Sequence, residues 1–399
     1  MEQAGAMRHA WALRAARWAG ACALWLAAGS AQAIDGWEPT AAANLDYTEA
    51  LLVHDSGALY AGTSAGGVSK SMDGGSSWMP VHTGLGSVGF NGILSLAMDG
   101  FGKLYAGTDG AGVYTSSNGG ASWTAATGLN AAYVNALTAG SGSQMYAGTS
   151  EGVYFSPDGG SRWVAITTGF PTDGVSNLLI NGNGQVYAAT HSHGVYRLYD
   201  DGSFVQWVAA NSGLTTSDVR ALAMDSAGAL YAGTAGGGIY KSVNGGTQWT
   251  AVNVGLTNLQ VHTLVVDGTG TLYAGTNGGG VFRSSNGGAR WQAINVGLTR
   301  LNVPALAVDA AGRVYAGTGG SGVFRSFVNV YSVSQGSIAP ADVTVAETGP
   351  LGRRTVTVEL RMVQPGAQAA MLGRRTFARE ANYQVFVVAV VPGQVLAQP

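Results

Sequence analysis

The chain has 399 residues, a formal net charge of −2, 63 glycines and a single cysteine. One cysteine excludes a disulfide framework and a cysteine-ligated metal, so the stability of the protein must come from packing. The near-neutral charge also excludes a surface built to attract nucleic acid or anionic lipid.

The first 33 residues have the pattern of a secretory signal peptide. Three arginines precede the apolar stretch 18–28, and a small-residue motif ends at Ala33. This stretch is shorter than the roughly 20 apolar residues that a membrane span needs, and no later segment approaches that length. We therefore expect cleavage after Ala33, a secreted or periplasmic protein, and no membrane span. Cys22 lies inside this segment, so the mature chain has no thiol.

A five-residue motif, Leu-Tyr-Ala-Gly-Thr or a close variant, occurs seven times in the rest of the chain. Its copies begin at Leu59, Leu104, Met145, Val186, Leu230, Leu272 and Val314. The spacing of 41 to 45 residues is typical of propeller blades with four short strands and too long for leucine-rich or ankyrin repeats. In the fifth repeat the strands are predicted at 219–224, 230–234, 238–242 and 248–252. The sequence predicts an all-β fold, a seven-bladed β-propeller over residues 34–327.

A second motif, Ser-x-Asp/Asn-Gly-Gly-x-x-Trp, occupies the predicted turn between the third and fourth strands in five repeats. Its acid or amide residues are Asp73, Asn118, Asp158, Asn244 and Asn286, and its tryptophans are Trp78, Trp123, Trp163, Trp249 and Trp291. The motif resembles the Asp-box, or bacterial neuraminidase repeat, and the resemblance covers residues 36–327. It implies the propeller fold, with a side chain folded onto the turn and a buried tryptophan. Sialidases, xyloglucanases, sortilin-type receptors and photosystem II assembly propellers share this repeat, so it implies no single activity.

The ring is predicted to close through its N-terminal strand. The seventh repeat stops after a third strand at 322–326, and Trp37 stands as far ahead of a first strand as the other tryptophans do. Trp37 should therefore complete blade seven, which removes the open sheet edges that would pair with other chains.

Candidate binding residues lie where the repeat is broken on one face of the ring. We call this the mouth face: it carries the turns between second and third strands and the connections into the next blade. The fourth repeat departs most, with His191 and His193 in its turn. These histidines can bind a metal if Asp173 or Asp218 joins them, and the alternative is a solvated turn without metal.

A ring of side chains at the channel mouth is predicted by counting back five residues from the end of each first strand. It comprises Ala50, Leu94, Asn135, Ser176, Arg220, His262 and Pro304. Arg220, His262 and Asp218 form a candidate anion-binding corner, and the alternative is a surface ion pair between Arg220 and Asp218. The candidate aromatic ligand contacts are Tyr47, Phe90 and Tyr133.

Enzyme activity finds limited support. A sialidase-like cluster of three arginines cannot be assembled, sialidases have six blades, and the Gly-x-Ser-x-Gly, P-loop and HExxH motifs are absent from the sequence. Asp109, Glu151 and Asp173 lie in mouth-face turns, where two carboxyl groups about 5–10 Å apart can hydrolyse a glycoside. We expect no catalysis and no cofactor, with glycoside hydrolysis as the alternative.

Residues 328–399 lose the repeat and contain longer alternating strands, such as 355–363 and 382–391, which predict a small β-sandwich-like accessory module. The leading hypothesis is an exported, non-catalytic binding or scaffolding propeller for a protein or glycan partner. We expect a monomer that binds no nucleic acid. The alternatives are a carbohydrate-active hydrolase and a structural cell-surface protein.

Overall fold

The structure, a computed structural model, describes most of the chain after residue 33. The described residues are 34–41, 45, 47–54, 56–65, 67–85, 92–129, 131, 133–202, 204–328 and five C-terminal strands. The predicted signal peptide lies outside them. Within these ranges the regular structure is entirely β, and none of the described residues lies in a helix long and apolar enough to cross a membrane.

Residues Ile34–Val328 form one compact unit, a seven-bladed β-propeller in which each blade is a four-stranded antiparallel sheet. The first strands of blades one to seven are β2 (Thr48–Val53), β6 (Ile93–Met98), β10 (Val134–Ala139), β14 (Val175–Ile180), β18 (Val219–Met224), β22 (Val261–Val266) and β26 (Ala305–Val308). The second strands are β3 (Leu59–Thr63), β7 (Leu104–Thr108), β11 (Met145–Thr149), β15 (Val186–Thr190), β19 (Leu230–Thr234), β23 (Leu272–Thr276) and β27 (Val314–Gly317).

The third and fourth strands form the outer half of each blade. The third strands are β4 (Val68–Ser71), β8 (Val113–Ser116), β12 (Gly152–Ser156), β16 (Val195–Asp200), β20 (Gly238–Ser242), β24 (Gly280–Ser284) and β28 (Val323–Val328). The fourth strands are β5 (Met79–Pro80), β9 (Thr124–Ala125), β13 (Val164–Ala165), β17 (Val205–Ala209), β21 (Thr250–Ala251), β25 (Gln292–Ala293) and, in blade seven, β1 (Ile34–Pro39).

The repeated five-residue motif forms the second strands, which are almost entirely buried. Six of the seven copies have glycine at the fourth position, where the first strand of the next blade passes directly over it, and blade four has Ala189 there. A Cβ atom at Gly62 would lie 2.5 Å from Cγ2 of Ile93, and one at Gly233 would lie 2.5 Å from Cγ1 of Val261. The motif therefore recurs because each second strand packs closely against the first strand of the next blade.

Six of the seven tryptophans are buried and Trp78 is partly buried, and most of them are hydrogen-bonded to the preceding blade. The backbone N–H of Trp123 donates to the carbonyl of Thr83 at 2.8 Å, and its Nε1 donates to the carbonyl of Val81 at 2.7 Å. Four other tryptophans make the same pair of bonds: Trp37, Trp207, Trp249 and Trp291. The side chain thus joins two blades while it fills the space between them.

The turn between the third and fourth strands is fixed by the acid or amide side chain. Oδ1 of Asp73 accepts a hydrogen bond from the backbone N–H of Ser77 at 2.8 Å and from Oγ of Ser71 at 2.8 Å. Four other turns repeat the backbone bond at 2.9 Å, through Asn118, Asp158, Asn244 and Asn286. The two glycines of each turn have positive φ angles, such as 67° and 88° at Gly74 and Gly75, which glycine adopts without strain.

Cationic side chains bind the same turn of the following blade. Nζ of Lys241 donates to the carbonyl of Gly287 at 3.1 Å, and Nη1 of Arg325 donates to the carbonyl of Gly74 at 3.0 Å. These bonds cap carbonyl groups of the turn and join neighbouring blades at the face opposite the mouth.

Blade seven is completed by the N-terminal strand, as predicted. β1 pairs antiparallel with β28, with Trp37 opposite Ser326. Trp37 is only 2% exposed and bonds to the preceding blade through the carbonyls of Val296 and Ile294. The prediction of a closed seven-bladed ring is confirmed.

The C-terminal strands form a three-stranded antiparallel sheet of β29 (Val343–Thr348), β30 (Arg354–Met362) and β31 (Ala370–Arg379), and a hairpin of β32 (Ala389–Val391) and β33 (Gln394–Leu396). Of the strand predicted at 382–391, only the last three residues lie within the described part. The β-sandwich-like module remains a prediction.

Candidate functional site

The mouth face is held together by the same backbone bond in all seven blades. In six blades the residue after the second strand donates its N–H to a backbone carbonyl just before the first strand of the same blade, and in blade seven Gly319 donates in the same way to Asn302. In blade two Asp109 donates to Gly92 at 2.9 Å, and in blade five Ala235 donates to Asp218 at 2.9 Å. A uniform backbone frame therefore presents different side chains in each blade.

The innermost side chains of the mouth come from β-bulges. In six blades the register of the first strand shifts after its first residue, which leaves one residue bulged. The bulged residues are Glu49, Leu94, Asn135, Ser176, Arg220 and His262, and Pro304 directly precedes β26 in blade seven.

The prediction of Ala50 at the channel mouth is wrong, and Glu49 takes that position. Ala50 is buried and pairs with Gly62, as Ser95 pairs with Gly107 in blade two. Counting back five residues from Asp55 gives Ala50. The turn after the first strand begins one residue earlier, at His54, and counting back five residues from His54 gives Glu49.

One side of the mouth carries a cluster of basic and imidazole side chains around Asp218. Nε and Nη2 of Arg220 donate to the two carboxylate oxygens of Asp218, at 2.5 and 2.8 Å. Nδ1 of His191 lies 4.0 Å from Oδ1 of Asp218. Burial first, and then the charge of Arg220, lower the pKa values of His191 and His262. Both imidazoles are therefore uncharged at pH 7, and Arg220 is the cation of this corner. Arg220 pairs with Asp218, which agrees with the alternative of an ion pair between these two residues.

The other side of the mouth carries two carboxylates, Glu49 and Asp109. Burial and the charge of Asp109 raise the pKa of Glu49. Neither carboxylate has a hydrogen-bond donor or a cation as a partner among the described residues. In a ring of seven, the junction of blades one and two lies opposite blade five. The acidic corner of the mouth therefore lies across the channel from Arg220.

The three carboxylates predicted as catalytic candidates have three different partners. Asp109 interacts with Glu49. Glu151 is exposed and accepts a hydrogen bond from Tyr154, whose pKa is raised first by burial and then by this carboxylate. Asp173 binds residues of the neighbouring turn. The carboxylate that lies close to Asp109 is Glu49, which is not among the three candidates predicted from the sequence.

Asp173 binds the turn of blade four. Its Oδ2 accepts hydrogen bonds from the backbone N–H of Ser192 at 2.7 Å and from Oγ of Ser192 at 2.8 Å, and lies 3.1 Å from Nδ1 of His193. Burial raises the pKa of Asp173, but the hydrogen bonds from His193 and Ser192 outweigh it and hold the pKa below its usual value. Asp173 is therefore ionised and fully used in positioning this turn.

The two histidines of blade four face different carboxylates, His191 towards Asp218 and His193 towards Asp173. The described ranges contain no group of three or more His, Cys, Asp or Glu side chains that could hold a metal ion. The arrangement suits hydrogen bonding by two separate imidazole rings rather than joint ligation of one ion.

Among the other residues predicted to contact a ligand, some bond to neighbouring parts of the ring and one is largely exposed. Nδ2 of Asn135 donates to the carbonyl of Val175 at 2.9 Å and so holds the next blade. Tyr133 is 49% exposed and forms an isolated β-bridge with Asp109. The hydroxyl of Tyr47 accepts a hydrogen bond from Asn302. Phe90 lies outside the described residues.

A cavity of about 220 Å³ opens on the mouth face between blades four and five. Its lining comprises His193, Gly194, Asn211, Leu214, Thr215, Thr216 and Ser217. The signals of this cavity in the sequence are His193, in a turn that is rich in glycine in other repeats, and Ser217, where the next two connections have leucine.

Family and structure comparisons agree with this architecture. The model of the DUF6242 beta propeller domain matches residues 42–185 and 179–307, which together exceed half of the chain. No curated protein has a significantly similar sequence.

Several solved propellers are similar to this chain in structure. The extracellular domain of the putative hybrid two component system BT4673 from B. thetaiotaomicron is 16% identical, with a TM-score of 0.61 over 82% of this chain and 45% of that one. YCF48 from Cyanidioschyzon merolae is 17% identical, with a TM-score of 0.55 over 73% of this chain and 98% of that one. YCF48 has also been solved bound to D1 peptide.

The GH74 xyloglucanase from Xanthomonas campestris is 18% identical, with a TM-score of 0.61 over 81% of this chain and 59% of that one. The chain thus spans less than half of the BT4673 domain and about three fifths of the xyloglucanase. At these identities the similarity establishes the fold.

Proposed function

This chain belongs to the DUF6242 beta propeller domain family, and we propose that it is an exported, non-catalytic binding protein that holds a polypeptide segment of a partner across the mouth face. The pattern of residues 1–33 supports export. So does the similarity to the extracellular BT4673 domain.

The observation that carries the proposal is the acidic corner of the mouth, whose two carboxylates have no cationic partner. Glu49 and Asp109 stand without a cationic partner among the described side chains, whereas Arg220, on the opposite side of the channel, is already paired with Asp218. A polypeptide segment supplies basic side chains for the acidic corner and backbone groups for the other polar residues of the mouth. YCF48, a propeller that is similar over 73% of this chain, has been solved bound to D1 peptide.

The exposed polar groups of the mouth also suit a transient complex with an extended segment. Tyr133 is half exposed beside Asp109, and aromatic side chains are enriched at the centres of protein interfaces. We expect Tyr133 to pack against the segment while Asp109 and Glu49 bind its basic residues.

The experiment is a selection of random displayed peptides on the purified full-length protein, followed by affinity measurement with soluble peptides. We expect the selected peptides to carry basic residues, and Glu49→Gln with Asp109→Asn to weaken their binding by about tenfold or more. Arg220→Gln removes a cation that is already paired with Asp218, and it should weaken binding less than the two acidic substitutions do.

Arg290→Gln is the matched control for Arg220→Gln, because it also removes one positive charge. Arg290 is exposed and lies in a turn of blade six on the face opposite the mouth. Selection of no peptide, or equal affinity for the mouth variants and the unaltered protein, would contradict the proposal.

Glycoside hydrolysis is a second candidate because of the pair formed by Glu49 and Asp109. A carboxyl group with a raised pKa next to a second carboxylate is the arrangement of a general acid and its partner in glycosidases. Release of sugar from xyloglucan oligosaccharides, abolished by Glu49→Gln, would support this reaction. Absence of turnover with a broad panel of aryl glycosides would exclude it in favour of binding.

A further inference from the structure

The cavity between blades four and five differs from the corresponding regions of the next two blades at two positions. His193 stands where blades five and six have Gly237 and Gly279. Ser217 stands where the next two connections have Leu259 and Leu301. Replacing a leucine by serine leaves space and a hydroxyl group, and replacing a glycine by histidine adds a polar ring beside that space.

The imidazole of His193 is held in place by the Asp173 carboxylate. Nδ1 lies 3.1 Å from Oδ2 of Asp173 and also 3.1 Å from Oγ of Ser192. Nε2 has no partner among the described residues. The carboxylate fixes the ring orientation and leaves Nε2 as the nitrogen that can bond to a ligand.

The opposite wall of the cavity consists of the connection from blade four to blade five. Oγ1 of Thr215 bonds to the hydroxyl of Tyr240, and Asn211 uses its amide to hold the blade-four turn. The hydroxyl groups of Thr216 and Ser217 have no partner among the described residues. Leu214 adds an apolar surface.

The carboxylate beside the cavity already has hydrogen-bond partners. Asp173 accepts four hydrogen bonds, from Gly174, from the backbone and side chain of Ser192, and from His193. The groups that remain for a ligand are one imidazole nitrogen, two hydroxyls and an apolar patch. A cavity of about 220 Å³ is also smaller than the roughly 300–1,000 Å³ usual for drug-sized ligands.

We infer that this cavity binds a small neutral polyhydroxylated molecule of the size of one sugar ring. Its hydroxyl groups bond to Nε2 of His193 and to the hydroxyls of Thr216 and Ser217, and its carbon face packs on Leu214. This site is separate from the charged mouth residues and does not depend on the peptide-binding proposal.

The test is thermal unfolding and calorimetric titration of the full-length protein with glucose, galactose, mannose and N-acetylglucosamine. We expect at least one of these sugars to raise the melting temperature in a concentration-dependent way, because it binds the native state alone. Ser217→Leu restores the residue of the next two connections and should abolish the shift. Thr216→Val removes one hydroxyl at constant shape and should weaken binding by about two- to tenfold.

Thr257→Val is the control, since it makes the same change at an exposed position of the next connection. It should leave sugar binding unchanged, as should Arg220→Gln in the mouth. The inference is overturned if no sugar of the panel shifts the melting temperature, or if Ser217→Leu binds as tightly as the unaltered protein. If a sugar binds but the peptide selection yields no binding peptide, the proposed function alone is overturned and the sugar site stands.

Discussion

Glu49 is a residue of the mouth whose charged form is disfavoured by its surroundings. It lies at a β-bulge, partly buried, and burial together with the charge of Asp109 raises its pKa. A raised pKa means that the folded state holds the proton more tightly than the unfolded state does. The contribution of Glu49 to stability is therefore best below the unfolded pKa of about 4.3 and declines as the pH rises through the folded pKa.

We predict that Glu49→Gln increases the free energy of unfolding at pH 7, by up to about 1 kcal/mol, because it removes a carboxylate whose charge is disfavoured first by burial and then by Asp109. The gain should shrink towards zero at pH 4, where the native carboxyl is protonated. Urea unfolding at both pH values measures it. Glu151→Gln is the control, since Glu151 is exposed and has Tyr154 as a partner. An equal gain at pH 7 and pH 4 would contradict the electrostatic explanation.

The residues of the candidate site were only partly predictable from the sequence. Departures from the repeat identified Arg220, Asp218, His191 and His262, and the structure brings these side chains together. Glu49 was missed because blade one has His54 where five of the other six blades have an acid or amide, which shifted the count by one. A bulge moves a side chain by one position, and the repeat alone does not show it.

At the scale of the element, the connection between blades depends on a glycine that contacts the next tryptophan. Gly213 has a φ of 93°, and a Cβ atom there would lie 2.1 Å from the carbonyl oxygen of Trp249. Gly228, in a turn of blade five, has a φ of 84° and open space around it. The two positions share the left-handed conformation and differ in the neighbouring atoms.

We therefore predict that Gly228→Ala lowers the free energy of unfolding by about 1–2 kcal/mol, the usual effect of a Cβ atom in the left-handed region. Gly213→Ala should lower it by more than about 4 kcal/mol, since the added carbon must displace a backbone carbonyl. Urea unfolding of both variants separates the two effects. If the two variants lose the same free energy of unfolding, the close approach of Gly213 to the carbonyl oxygen of Trp249 does not contribute to the cost.

The elements themselves were predicted well wherever they are repeated. In blade five the first three strands have the predicted bounds, but the fourth is only Thr250–Ala251 rather than 248–252. The difference has a physical reason: the N–H and Nε1 groups of Trp249 bond to blade four and not to its own sheet. The apolar pattern of a strand does not distinguish a partner in the same sheet from one in the neighbouring blade.

At the scale of the whole molecule, closure makes the first and last repeats equivalent to those in the middle. Trp37 and Trp123 are exposed by 2% and 3%, and each donates two hydrogen bonds to the preceding blade. Nε of Arg325 also donates to Glu38 across the closing pair of strands. In an open array of repeats the terminal unit contacts one neighbour and unfolds more easily.

The closed ring therefore predicts equal effects of two tryptophan substitutions. Trp37→Ala and Trp123→Ala should each lower the free energy of unfolding by about 3–5 kcal/mol, as expected for a large buried aromatic side chain, and each variant should unfold in the same number of transitions as the unaltered protein. Urea unfolding followed by circular dichroism measures both properties. If closure added little, Trp37→Ala would lose far less stability than Trp123→Ala, or would release blade seven in an early separate transition. Equal losses in a shared transition require that the strand pair β1–β28 transmits stability around the ring as the other blade junctions do.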